Sequence, residues 1–147
     1  MSAVPPGTPR TPGGHEFFNP EALGPPAGFS HAVLAAPGRV AFLAGQIAPG
    51  PSSVLAAMGL VEQFGGAAGA LATALEAAGG RREDLTWLQI FVTDPGDYTH
   101  SLKEIGAAWR GVFGRHFPAM GLFGVTGLFV PEARVELMGI AVIPDAA

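Results

Sequence analysis

The sequence predicts an α+β domain with strands and helices in the order β-β-α-β-α-β-β, both helices lying on one face of the sheet. Two observations carry this. Two long segments repeat apolar residues every three or four positions, and five short apolar runs are bounded by Gly, Pro and Asp turn signals. Strands before, between and after helices place the chain in the α+β class. A length of 147 residues is one domain's worth.

Residues 1–14 hold four prolines and little apolar surface to offset the entropy of ordering, so they are expected to be a disordered tail. The domain then spans residues 15–147. Up to Phe29 the chain stays Pro-rich, with Phe17, Phe18, Leu23 and Phe29 available to pin it to the body. Two strands follow, His31–Val33 and Arg39–Ala44, joined by the turn signal Ala36-Pro37-Gly38. A helix is expected over Val54–Ala78, N-capped by Ser52 or Ser53. Its apolar stripe is Leu60, Phe64, Ala68, Leu71, Leu75 and Ala78, and its stop is Gly79-Gly80. Leu85–Thr93 is rich in aromatic and β-branched residues and reads as a strand. Asp97 is expected to cap a second helix, Tyr98–Phe113, which presents Leu102, Ile105, Trp109 and Val112 on one face and ends at Gly114. Strands near Gly121–Thr126 and Ala133–Val142 complete the chain.

Composition excludes several functions. There is no cysteine, which rules out disulfides, thiol catalysis and thiolate zinc sites. Net charge is −4 and Lys103 is the one lysine, so the chain carries no basic footprint for nucleic acid. The longest uncharged run, Val40–Val61, is interrupted by Pro49-Gly50-Pro51, so no membrane span is expected. No targeting segment is legible, and a cytoplasmic protein is the expectation. His15, His31, His100 and His116 show no metal-ligand spacing, and no glycine pattern forms a phosphate loop. Neither metal nor cofactor is expected. Ser30 and His31 are adjacent on a strand and point to opposite faces, which excludes a dyad.

The last strand is apolar on both faces: Val135, Leu137, Gly139 and Ala141 alternate with Glu136, Met138, Ile140 and Val142. A half-solvated sheet should alternate apolar with polar. Two helices cover one face only, so another copy of the chain is expected on the second; the alternative is a small sheet that tolerates apolar exposure. Glu136 is then a carboxylate on an interface-facing strand, a site candidate because burying a charge is costly. The competing assignments are a strand-edge Glu reaching solvent, or an ion pair with Arg134 or Arg39.

Several stretches together carry a family pattern: Gly28-Phe29-Ser30-His31-Ala32-Val33, Ala41-Phe42-Leu43-Ala44-Gly45-Gln46-Ile47, and Ala74-Leu75-Glu76-Ala77-Ala78-Gly79. Asp84, Ile90-Phe91-Val92-Thr93-Asp94, Phe117-Pro118-Ala119, Val135-Glu136-Leu137 and Ile140-Ala141-Val142 continue it. From about Asn19 onward the chain resembles the RidA/YjgF family, also called the endoribonuclease L-PSP family. The resemblance implies a chorismate-mutase-like fold, a homotrimer, and small-molecule clefts between subunits that hydrolyse reactive enamines and imines such as 2-aminoacrylate. It implies an arginine after Phe-Pro-Ala that clamps the substrate carboxylate, and a last-strand glutamate that positions water. Glu136 matches that glutamate. Met120 stands in place of the arginine, Ala44 of a serine, Phe29 of a tyrosine, and Leu122 of a cysteine; the helical asparagine falls near Leu102.

The expected cleft is therefore apolar, with Glu136 catalytic and Phe29, Ser30, His31, Ala44, Gly45, Met120 and Leu122 binding the ligand. Loss of the arginine argues against 2-aminoacrylate itself. Two functions remain: hydrolysis of a less polar enamine or imine by Glu136, or a non-catalytic trimer that binds a ligand or partner. Ribonuclease activity ranks below both, because the acidic balance offers no hold on phosphates.

Overall fold

The computed structural model describes residues 9–145. Strands β1 (Glu16–Phe18) and β2 (Ala32–Leu34) pair antiparallel as a small ribbon. The main sheet contains β3 (Gly38–Gln46), β6 (Val135–Pro144), β4 (Leu85–Val92) and β5 (Ala119–Gly124), in that order. β4 and β5 run parallel and the other pairs antiparallel. A parallel pair needs a crossover, and α3 (Pro95–His100) with α4 (Leu102–Phe113) supplies it. Helices α1 (Ser52–Ala57) and α2 (Leu60–Ala77) connect β3 to β4. The expected α+β architecture is observed, with β1 as an addition. That strand is three residues flanked by proline-rich chain, too short to show a period.

The core lies between one sheet face and α2 and α4. Val135, Leu137 and Ala141 of β6, Leu88, Ile90 and Val92 of β4, and Leu43 of β3 are buried against Phe64, Leu71 and Leu75 of α2 and Ile105, Trp109 and Phe113 of α4. Leu60, Phe64, Ala68, Leu71 and Leu75 of the expected α2 stripe are buried, whereas Ala78 lies just past the helix end and is exposed. At Gly139 a Cβ would collide with the Trp87 backbone, so only glycine lets β6 and β4 approach there.

Both long helices depart from their expected outlines. The Val54–Ala78 helix breaks at Met58-Gly59, and Pro51, rather than Ser52 or Ser53, precedes it with no side-chain cap. The buried Gln63 amide explains the break: Nε2 donates to the carbonyls of Leu55 (3.0 Å) and Met58 (3.3 Å), satisfying groups that a continuous helix would have bonded internally. The second helix is also two pieces. Asp94, not Asp97, caps α3 by accepting from the Asp97 N–H, and Pro95 at the first position presets its φ. α4 then starts after Ser101 and stops as expected at Gly114 (φ 65°). β5 begins two residues earlier than expected, at Ala119 rather than Gly121, because its pairing continues the register of β4 from Trp87.

The tail expectation needs correcting at its end. Residues 1–8 lie outside the described residues. From Pro9 onward the chain is built into the body. Its carbonyl accepts from the Phe17 N–H, Thr11 is buried, and Arg10 pairs with Glu16 at 3.3 Å. Gly13 packs so closely on Pro144 that a Cβ would not fit. Backbone bonds and a missing side chain order this stretch, neither of which an apolar count detects. The adjoining His15 is fully buried. Its Nδ1 accepts from the Ala36 N–H, so Nε2 carries the proton and donates to Asp84 Oδ1 at 3.2 Å.

His116 ties the end of α4 to the sheet. Nε2 donates to the Leu85 carbonyl at 2.6 Å, and the His116 carbonyl accepts from Trp109 Nε1 at 2.8 Å. Burial pushes its pKa below the usual 6.5, opposed in part by the Leu85 hydrogen bond and the nearby Glu83 and Asp84. An unfolded chain therefore binds this proton at a higher pH than the folded one, and stability falls as pH drops below about 6.5. The melting temperature should decline between pH 7.5 and 5.5, and His116→Gln, which keeps an N–H donor, should flatten that decline. Parallel slopes would show that His116 does not carry it.

Candidate functional site

A cavity of about 440 Å³ opens on the helix-covered side of the sheet. Its floor is Leu88 and Ile90 of β4 with Met120 and Leu122 of β5; Phe64 of α2 and one face of α4 form the wall. Ala27, Gly28 and Phe29 close the remaining side, where Gly28 adopts φ +77°, a conformation suited to glycine. The volume is in the range of small-ligand sites, and the lining is predominantly apolar. Leu102 and Leu122, both more than 40% exposed, form an apolar rim.

Ser30 and His31 hold this wall in place. Ser30 is buried; its Oγ donates to the Phe117 carbonyl at 2.6 Å and its N–H to the Pro118 carbonyl at 3.1 Å. These bonds dock the chain before β2 onto the Phe117-Pro118 step into β5. The His31 N–H donates to Asn19 Oδ1 (2.8 Å), its Nε2 bonds the Gly24 carbonyl (3.1 Å), and its ring meets Phe29 edge-on at 5.0 Å. Phe29, Met120 and Leu122 therefore face the cavity, and Ser30 and His31 are fixed beside it.

Glu136, Ala44 and Gly45 lie elsewhere in the protomer. Residues paired across a ladder share a face, so Glu136 groups with Phe91 of β4 and Phe123 of β5, whose rings stack at 5.6 Å. That is the face the helices leave bare. Met120 pairs with Leu88, a core residue of the opposite face. The Glu136 carboxylate lies across Gly45, where any Cβ would strike it. Among the described residues it forms neither of the ion pairs weighed from sequence, with Arg134 or with Arg39, and makes no side-chain hydrogen bond. On the same bare face Val40 pairs with Val142 and Phe42 with Ile140, itself opposite Trp87; Phe42 is 80% exposed.

Two cavity groups were not singled out from sequence. Tyr98 is buried, and burial pushes its pKa up to about 12, so the phenol is neutral. Arg110 is the charged member of the lining. The spacing 102-105-106-109-110 places Leu102, Ile105, Gly106, Trp109 and Arg110 on one helical face, a signal available in the sequence but overlooked in favour of the apolar stripe. No three His, Asp or Glu side chains among the described residues are grouped to hold a metal. No helix among them is long and apolar enough to cross a membrane.

The fold has close structural parallels. A Rid-family protein of unknown function from Yersinia pestis superposes with TM-score 0.75 at 28% identity, covering 88% of this chain and 98% of the other. A protein of unknown function from Pseudomonas aeruginosa gives TM-score 0.62 at 29% identity, covering 88% and 92%. A YjgF-family member from Mycobacterium tuberculosis shares the fold with TM-score 0.57 at 24% identity, covering 88% and 99%. Among curated proteins, none matches the chain. Residues 19–143 match the family model described as Endoribonuclease L-PSP, the YjgF/RidA family. With nearly the whole described chain inside that match, this protein belongs to the Endoribonuclease L-PSP (YjgF/RidA) family.

Proposed function

We propose that copies of this chain assemble as a trimer through the bare sheet face, bind a small apolar metabolite between subunits, and hydrolyse it as an enamine or imine with Glu136 as proton carrier. The observation that carries this reading is the Glu136 carboxylate: half-buried among apolar neighbours, laid over Gly45, and without an ion-pair or hydrogen-bond partner among the described residues. Solvent still reaches these oxygens in the single protomer, and a second copy laid over this face would enclose the charge without a protein partner of its own chain. Within one protomer, Glu136 and the cavity lie on opposite faces of the sheet. The reading therefore needs one subunit's bare face to meet the cavity mouth of the next, as the exposed Phe42 and Val40 of that face favour.

The chemistry is a balanced hydrolysis. Water adds to the carbon of the protonated imine while Glu136 takes one of its protons, giving a carbinolamine; the carboxylic acid returns that proton to nitrogen, and the carboxylate then accepts the remaining hydroxyl proton as the C–N bond breaks, releasing a carbonyl compound and ammonia and passing the proton to solvent. An enamine enters the same sequence after protonation on carbon. The test is turnover of neutral imines formed in situ by an amine oxidase from apolar primary amines. Glu136→Gln should slow turnover by roughly 100-fold or more, with the oligomer intact. An unchanged rate would make Glu136 structural. Absence of acceleration on every imine, with ligand binding preserved, would favour the non-catalytic binding protein, the reading that Met120 in the arginine's place supports.

A further inference from the structure

We infer that Arg110 is the anion anchor of the cavity and Tyr98 its neutral hydrogen-bond donor, so that the site takes a small monocarboxylate with an apolar body. This rests on the reading above only in treating the cavity as the ligand site.

Three features of Arg110 point this way. It is the charged residue among those lining the cavity, and it projects from the same helical face as Ile105 and Trp109, which form the wall. Its guanidinium folds back over Gly106: a Cβ there would lie 3.2 Å from Nη1, so glycine leaves the space in which the side chain lies along the cavity mouth. Among the described residues its side chain has neither a carboxylate partner nor a hydrogen-bond acceptor; Arg39, Arg115 and Arg134 share that state, but Arg110 is the one that lines the cavity. An exposed guanidinium at the mouth remains hydrated until a ligand arrives, so the cost of burying an unpaired charge is avoided. Its planar fork suits a carboxylate in two parallel bonds.

Tyr98 supplies the second polar contact. Its ring packs edge-on to Phe64 at 6.3 Å, and its hydroxyl has no hydrogen-bond partner among the described residues. The remaining wall is hydrocarbon, aromatic and thioether. A single cation at the rim of an apolar chamber matches one negative charge on an apolar body; a doubly charged phosphate would lack a second cation. The anion site is thus carried by a helix, while strand position 120 offers a flexible thioether to the apolar part of the ligand.

Calorimetric titration with 3-phenylpropionate and its neutral amide tests the inference. Wild type should bind the acid about tenfold or more tightly than the amide. Arg110→Gln should bring the acid to the amide's level without weakening the amide, Arg110→Lys should retain part of the preference, and Tyr98→Phe should weaken both. Raised salt should reduce acid binding selectively. If wild type binds neither compound, binds both equally, or keeps its preference in Arg110→Gln, the inference is overturned. Acid-selective binding without any imine turnover would therefore remove the enzymatic reading and leave this one standing, whereas turnover without acid selectivity would do the reverse.

Discussion

Phe42→Asp should convert a particle of about three times 15.0 kDa into a monomer by light scattering, with the far-UV circular dichroism of the protomer retained. The position is chosen because its ring is 80% exposed in the single chain, so protomer folding does not depend on it. It sits in a row with Ile140 and Trp87, above Val40 and Val142, on a sheet face that no helix covers. A contiguous apolar surface of this kind marks an interface, and a carboxylate at its centre would be buried without a partner. Ile140→Arg should act in the same direction but also strain the half-buried sheet, which makes it the less clean variant. A wild-type chain that is monomeric at micromolar concentration, or a Phe42→Asp variant of unchanged mass, would remove the packing argument and with it the intersubunit site.

The second large effect is on folding. Gln63 is fully buried and joins three parts of the chain: Nε2 donates to the carbonyls of Leu55, Met58 and Glu132 (3.1 Å), and Oε1 accepts from the Arg134 N–H at 2.8 Å. It thereby fixes the α1–α2 break and the loop that leads into β6, two residues before Glu136. Gln63→Leu preserves volume but strands several buried backbone groups, each costing about 1–3 kcal/mol. A total loss of about 3–5 kcal/mol is expected, or roughly 10 °C in melting temperature for a domain of this size. Urea unfolding measures it directly. A change within about 1 kcal/mol would mean that water reaches those carbonyls when the side chain is removed.

The elements with long or strongly patterned signals were legible in the sequence. The α2 stripe from Leu60 to Leu75, the aromatic and β-branched run of β4, the Ile105 and Trp109 face of α4 ending at Gly114, and the two-sided apolar β6 all appear where their periodicity places them. Periodicity reports which side chains are buried, and burial decides most of a small domain's structure. The features missed depend on single polar groups or on absent side chains. Among them are the helix break closed by Gln63, the cap moved from Asp97 to Asp94, and the ordered stretch from Pro9, where Gly13 meets Pro144.

The site divides along the same line. Sequence by itself determined the family, the identity of Glu136 as an unusual carboxylate, and the apolar character of positions 29, 120 and 122. Each of these is a property of residue type and order along the chain. Only the tertiary structure decided that Ser30 and His31 act as ties rather than as lining, that Arg110 and Tyr98 join the cavity, and that Glu136 faces away from Met120. Those are questions of side-chain direction. Direction across a sheet follows from strand register and bulges, such as the one between Leu43 and Gln46 that leaves Gly45 under the Glu136 carboxylate, and register is set by contacts between residues far apart in sequence.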